Sequence, residues 1–191
     1  KNIKLFNGIP LIGWSISVAK KIKRISRVIV STDSEEIAKI AREYGAEVPF
    51  IRPKKLALDD SSEWLSWRHA INFMDEYFNK DPYCIVVLPP TAPLRTVNDV
   101  NICIDEFEKG EVDSVITVSD AQRSPYFNMV KTDSKGYSSL VMKPEEKIIR
   151  RQDAPKLFDM TTVAYIVDST FIKKYNGLFE GRIRSVNIPR E

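Results

Sequence analysis

A single histidine, two cysteines and seven glycines in 191 residues leave several chemistries without their materials. With no Cys-x-x-Cys pair and His69 as the only imidazole, the ligand set of a zinc site is absent. No Ser/His/Asp or Cys/His set can be assembled, and His69, mid-helix beside Leu65 and Phe73, reads as a helix-surface or core-edge side chain. Cys84 and Cys103 each sit inside an apolar run, which suits buried reduced thiols better than a disulfide. The glycines form neither G-x-x-x-x-G-K-[ST] nor G-x-G-x-x-G, so two common phosphate-binding loops are not in this sequence. No apolar run nears the roughly 20 residues of a membrane span, and no signal-peptide pattern is visible; the compartment expected is the cytoplasm. A strong charge of one sign is lacking too. Lys+Arg number 29 against 26 Asp+Glu, a net +3 that is too even for a nucleic-acid surface. The one basic concentration, Lys20, Lys21, Lys23, Arg24 and Arg27, falls at a predicted helix end, where the helix dipole favours it.

What is present suffices for a core: 43% hydrophobic and 29% charged residues over a length that suits one domain, 1–191, with a small lobe. Pro10 opens a helix with Leu11, Trp14, Val18 and Ile22 on one face, and no strand precedes it. The run 27–31 reads as a buried parallel strand. Asp33 is placed to cap a second helix, with Glu36 at the capping-box position, Ile37, Ile40, Ala41 and Tyr44 facing inward, and Gly45 at the end. Residues 46–50 read as a second strand. Ser61 or Ser62 starts a helix whose stripe is Trp64, Trp67, Ile71, Met74 and Phe78, and 83–88 is the clearest strand in the chain. Thr96, with Asp99, caps a helix that turns Val100, Cys103, Ile104 and Phe107 inward; 114–118 is another strand.

This alternation predicts an α/β fold with a mainly parallel sheet. After Val118 the rhythm breaks. Residues 127–131 and 137–142 read as a hairpin around Asp133-Ser134-Lys135-Gly136, inside an inserted lobe at 120–160 of the kind that serves as an oligomer interface or a lid. Residues 163–167 and 185–188 read as strands returning to the main sheet. In an open α/β sheet ligands bind beyond the carboxyl ends of the strands. Ser31-Thr32-Asp33, Arg52, the loop 89–95 and residues 119–127 all fall at that edge, as a polar and basic rim.

Several segments, taken in order, carry a more specific signal: Lys1-Asn2-Ile3-Lys4 with Gly8-Ile9-Pro10-Leu11-Ile12, Ser31-Thr32-Asp33, Tyr44-Gly45-Ala46-Glu47-Val48, Arg52-Pro53, Pro90-Thr91-Ala92-Pro93-Leu94-Arg95, Arg151-Gln152-Asp153 and Ile188-Pro189-Arg190-Glu191. Together they resemble the CMP-sialate synthetases (acylneuraminate cytidylyltransferases) over nearly the whole chain. The resemblance implies a three-layer, Rossmann-like nucleotidyltransferase fold in which the inserted hairpin pairs two copies into a homodimer. It implies cytidylyl transfer from CTP to the anomeric hydroxyl of a nonulosonate sugar, with Mg²⁺ as the metal. Catalysis of that kind is chiefly alignment and shielding of phosphate charge.

By the same resemblance Lys1 neutralises the triphosphate as the catalytic cation, and Asn2, Arg52 and Ser62 complete the nucleotide site. Arg151, Gln152, Arg123, Tyr126, Phe127 and Thr161 make the sugar site, where Arg suits a planar carboxylate better than Lys. Arg95 is expected to pin its loop. Two departures fall on the sugar side: Pro89 stands where the family has Gln, and Thr161-Thr162-Val163-Ala164-Tyr165 stands for Asn-Gly-Ala-Ile-Tyr. They point to a relative of sialic acid such as legionaminate, pseudaminate or an octulosonate. The sequence reads as truncated at both ends, with half of a nucleotide-binding loop expected before Lys1 and the metal-binding Asp pair expected beyond Glu191. A related octulosonate transferase, or a degenerate non-catalytic module that binds nucleotide or only dimerises, is the alternative.

Overall fold

The computed structural model describes residues 1–79, 82–143, 150 and 154–189. It divides into two compact units, Lys1–Thr117 with Thr161–Val186, and Val118–Met160 with Asn187–Glu191.

The first unit begins with β1 (Leu5–Phe6) and β2 (Ile9–Pro10), a two-stranded hairpin turned by Asn7 and Gly8, both at positive φ. A strand pair therefore precedes α1 (Leu11–Lys21), where none was expected. Pro10 is the N-cap residue of α1, and Lys20 and Lys21 fill its last turn. The buried face of α1 is Ile12, Ile16 and Ala19; of the expected stripe of Leu11, Trp14, Val18 and Ile22, only Ile22, at the C-cap, is buried. Trp14 instead packs edge-on against Phe6 and donates its indole N–H to the Phe6 carbonyl. Gly13 decides the face: a Cβ there would come within 2.7 Å of the Tyr44 ring, so the helix approaches α2 (Glu35–Glu43) by its glycine side. Ile12, Ile16, Ala38, Ala41, Ala46 and Val48 form the resulting core, each large aliphatic stabilising by about 1.5–3 kcal/mol.

The cap of α2 is Ser34, whose hydroxyl accepts from the Ile37 N–H. Asp33 was expected there, and a different partner draws it away, as described below. The expected strands 27–31 and 46–50 reduce to one parallel bridge, Ile29 with Glu47, held by Val30 N–H to Glu47 O at 2.9 Å and Glu47 N–H to Val28 O at 2.8 Å. Next come α3 (Glu63–Phe78), β3 (Cys84–Val87) and α4 (Val97–Glu108). In α4 the Thr96–Asp99 capping box is fully formed and Val100, Cys103, Ile104 and Phe107 are all buried, as read from the sequence.

The main sheet has the order β3-β7-β4-β8, with β4 (Ser114–Asp120), β7 (Phe158–Asp168) and β8 (Ile183–Asn187). Both returning strands rejoin the sheet. The architecture is the expected α/β one, but the sheet is mixed: β7 runs antiparallel to β3, in the register Cys84–Asp168 to Val87–Tyr165. Helix α5 (Ser169–Lys174), capped by Asp168, packs on α3, while α1 packs on α2 and α4.

The second unit contains a hairpin of β5 (Val130–Thr132) and β6 (Ser138–Leu140). Its turn is built as the sequence suggests: the Asp133 carboxylate accepts from the Lys135 and Tyr137 N–H groups, and Gly136 takes φ +87°. Met129, Val130, Tyr137, Val141, Met142 and Phe158 are exposed on this unit. Among the described residues no helix is long and apolar enough to cross a membrane.

Candidate functional site

In the first unit, residues 24–33 and 84–91 line one cleft of about 790 Å³. Its floor is apolar, from Val28, Ile29 and Val30 on one side and Ile85, Val86 and Val87 on the other, with Ile16 of α1 and Ile71 of α3 also lining it. Its rim is polar. Lys1, Asn2, Ser31, Thr32, Asp33, Arg52, Ser66, Thr91 and Thr162 gather where 28–30 and β3 run out at their carboxyl ends.

Arg52 is the best-held cation of the rim. Its backbone N–H donates to Thr32 O at 2.8 Å, Nη1 donates to Ser66 Oγ at 3.1 Å, and Nη2 lies 3.7 Å from the Asp33 carboxylate. Ser66, buried on α3, passes its own proton to Leu56 O. Arg52 Nε is buried without a hydrogen-bond partner. The guanidinium is therefore oriented on one edge and retains donor capacity, a state suited to an anionic or acceptor-rich ligand. Lys1 is exposed at the same rim, and Asn2 beside it is fixed by its carbonyl, which accepts from Ile12 N–H at 2.9 Å. Glu63 also lines the cleft; burial, and then the Glu63 charge, raise the pKa of the Tyr165 phenol.

The loop after β3 is pinned by Arg95. This side chain, 6% exposed, donates Nη1 to Ser15 Oγ at 2.8 Å and Nη2 to the carbonyls of Pro89 and Thr162. Burial brings its pKa down to about 10, against the opposing charge of Asp99, which leaves it charged at neutral pH. Thr91 Oγ1 and Thr162 Oγ1 lie 3.0 Å apart on the cleft wall.

Of the residues expected at the nucleotide, Lys1, Asn2 and Arg52 share this cleft. Ser62 is not among its lining residues; its hydroxyl caps α3 by accepting from Trp64 N–H. Ser66, one turn further on, is the α3 serine that reaches Arg52. Of the sugar-side residues, Thr161 turns its hydroxyl to Thr117 Oγ1 at 2.8 Å, and its neighbour Thr162 lines the cleft instead. Arg123, exposed, and Tyr126 and Phe127, both half-buried, belong to the second unit, where the Ser124 hydroxyl accepts from Tyr126 N–H. Arg151 and Gln152 lie outside the described residues. Asp33 and Thr91 lie at the strand ends where the alternation placed the rim, although Asp33 itself was read as a helix cap; Ser66 and Thr162 were not foreseen.

Among the described residues no group of three or more His, Cys, Asp or Glu side chains is placed to hold a metal ion. Asp33 and Glu63 both line the cleft, but Asp33 is turned toward Arg52. The described residues thus do not fit a protein-held magnesium.

Residues 1–176 match the model of a family described as cytidylyltransferase. The chain belongs to the cytidylyltransferase family. Among curated relatives it is 35% identical over 179 residues to post-translational flagellin modification protein B of Campylobacter coli, covering 94% of this chain and 75% of that one. It is 33% identical, with the same coverage, to the CMP-N,N'-diacetyllegionaminic acid synthase of Campylobacter jejuni. Among solved structures, a CMP:2-keto-3-deoxy-manno-octonic acid synthetase complexed with CTP superposes with TM-score 0.70 at 12% identity, covering 100% of this chain and 83% of that one. At that identity the likeness is one of fold.

Proposed function

We propose that this cytidylyltransferase transfers a cytidylyl group from CTP to the anomeric hydroxyl of a nonulosonate sugar of the legionaminate type. One observation carries the reading: Lys1, Asn2 and Arg52, far apart in sequence, converge on one rim in a chain whose family is cytidylyltransferase. The anomeric oxygen forms a bond to the α-phosphorus as the bond to the bridging oxygen breaks. Pyrophosphate leaves, and the hydroxyl proton passes to solvent. Lys1 supplies positive charge to the triphosphate, and Arg52, whose fork keeps N–H groups that Ser66 and Asp33 do not take, reads an acceptor edge of the nucleotide. CTP enters as its magnesium complex, so the ion comes with the substrate. Arg151 and Gln152, with Arg123, Tyr126, Phe127 and Thr161, are proposed for the acidic sugar. The exposed apolar side chains of the hairpin unit support a homodimer, and the reaction is assigned to the cytoplasm.

The likeness to the CMP-N,N'-diacetyllegionaminic acid synthase of Campylobacter jejuni supports a legionaminate over N-acetylneuraminate. The test is release of pyrophosphate with CTP and a panel of legionaminate, pseudaminate, N-acetylneuraminate and octulosonate acceptors. Turnover highest with a diacetylated nonulosonate is expected. Clear preference for N-acetylneuraminate, or turnover with UTP or GTP equal to that with CTP, overturns the reading.

A further inference from the structure

Asp33 stands against the best-held cation of the rim, and the helix it precedes makes no use of it. Ser34 caps α2 instead, its hydroxyl accepting from Ile37 N–H. The acceptors of Thr32 are both taken: its carbonyl receives Arg52 N–H at 2.8 Å, and its hydroxyl receives Ser34 N–H at 3.2 Å. The Asp33 carboxylate is left 42% exposed on the cleft, 3.7 Å from Arg52 Nη2. That separation is beyond hydrogen-bond length, so the two groups attract without saturating one another. The exposed pairs Arg24–Asp105 and Arg27–Glu47, by contrast, close to 2.6 Å. Arg52 is itself oriented by Ser66. The rim therefore presents a carboxylate acceptor beside a planar set of donors.

We propose that Asp33 determines which pyrimidine the rim accepts, by receiving the 4-amino group of cytosine while Arg52 donates to the acceptors beside it on the ring. The assignment rests on the proposed function, in which the rim takes a nucleotide, and deepens it by naming the residue that selects the base. Cytosine carries an amino donor next to acceptors along one edge; Asp33 and Arg52 carry an acceptor next to donors, and carboxylates accept from that amino group. Uracil has a carbonyl at the same ring position. Its oxygen would face the Asp33 carboxylate, acceptor against acceptor, with no proton between them. The same side chain thus attracts the right base and penalises the wrong one. Glu63 also lines the cleft and serves as the control, since it carries the same charge on a different element.

The test is calorimetric titration of the full-length protein with the magnesium complexes of CTP, UTP and the triphosphate of pyrimidin-2-one riboside, which keeps the ring and lacks the amino group. The wild-type protein is expected to bind CTP at least about 100-fold more tightly than UTP, and about 10-fold or more tightly than the pyrimidinone. The amide of Asp33→Asn can turn either its oxygen or its NH₂ to the base. In that variant the CTP:UTP ratio should fall by about 10-fold or more, and removal of the amino group should no longer matter. Glu63→Gln should leave the ratio in place. The pyrimidinone comparison is made on the wild-type protein, so it does not depend on a variant folding. Pyrimidinone bound as tightly as CTP overturns the assignment. So does a CTP:UTP ratio that Asp33→Asn leaves unchanged, which would set Asp33 against the ribose or the phosphates, and so does a ratio that falls in Glu63→Gln instead. If the wild-type protein binds no CTP, the proposed function falls and the assignment with it; if CTP binds and the ratio ignores Asp33, the assignment alone falls.

Discussion

Arg95 and Ser15, 80 residues apart, meet at 2.8 Å inside the first unit and lock the loop after β3 to helix α1. The same guanidinium holds the carbonyls of Pro89 and Thr162, so one side chain ties three segments that border the cleft. Arg95→Ala removes the charged donor from all three acceptors, and the Pro89 carbonyl keeps only the long contacts, 3.5 Å each, from Ser15 Oγ and the Ala92 N–H. A hydrogen bond to a charged group is worth roughly 1.5–3 kcal/mol, and a loss of about 2–4 kcal/mol in urea unfolding is expected. Arg95→Lys offers one nitrogen in place of a planar fork and falls between wild type and Arg95→Ala.

For Arg52 the expected effect is on binding. Lys at this position keeps the charge but has no planar fork with which to donate to Ser66, face Asp33 and still offer N–H groups to a ligand. Steady-state kinetics of Arg52→Lys should show KM for CTP raised on the order of 10-fold, equivalent to about 1.4 kcal/mol, with kcat changed less. Ser66→Ala, which removes only one support of the guanidinium, should move KM in the same direction by a smaller factor. A kcat loss with unchanged KM in both variants would remove Arg52 from nucleotide binding.

The sequence made some of these features legible and hid others, for physical reasons. The cap of α4 was readable because Thr96 and Asp99 are three residues apart and satisfy each other locally. The alternation of strand and helix, and the return of β7 and β8 to the sheet, were readable from hydrophobic period. The direction of β7 was not, since an apolar run pairs either way. At α1 two faces were apolar, and the choice between Ile12/Ile16 and Leu11/Trp14 rested on the contact of Gly13 with Tyr44, 31 residues away. Asp33 and Ser34 are both good caps by type; the pairing of Asp33 with Arg52 that separates them is long-range. Arg52 itself was found by resemblance, but its support by Ser66 needs the fold.

Gly13 yields a packing prediction. A methyl group at this position meets the Tyr44 ring at 2.7 Å, inside contact distance, although the backbone there is ordinary helix. Helix propensity favours alanine over glycine by about 1 kcal/mol, and overpacking costs roughly 1–3 kcal/mol, so Gly13→Ala should be net destabilising. Combining it with Tyr44→Leu should recover part of the loss. Full additivity in thermal unfolding would show that the ring is not what the methyl meets.

The thiols should be slow to react in the folded protein. Burial pushes Cys84 up to about 11 and Cys103 up to about 12, so neither carries appreciable thiolate at neutral pH. Titration with a thiol-specific disulfide reagent at pH 8 is expected to find both unreactive until denaturant is added, with Cys84, the less buried, released first.

His69 is the sole histidine and sits edge-on to Phe50 at 4.8 Å with a buried, unpartnered Nδ1, which makes it an unambiguous reporter of its surroundings. Desolvation lowers its pKa from the ordinary 6.5, and the charges of Arg52 and Lys55 lower it further. The folded ring therefore takes a proton at lower pH than the unfolded one. As pH falls below about 6.5 the unfolded chain protonates first, and stability is lost until the folded ring has titrated as well; below that point the loss is level. His69→Phe should flatten stability across this window. The coupling to Arg52 gives a second readout. A phosphate or another anionic group bound against Arg52 screens its charge, so CTP should move the His69 resonance midpoint upward in an NMR titration. In Arg52→Gln the starting midpoint should already be higher, and CTP should leave it in place. A midpoint in the wild-type protein that ignores CTP would mean that the nucleotide does not reach Arg52.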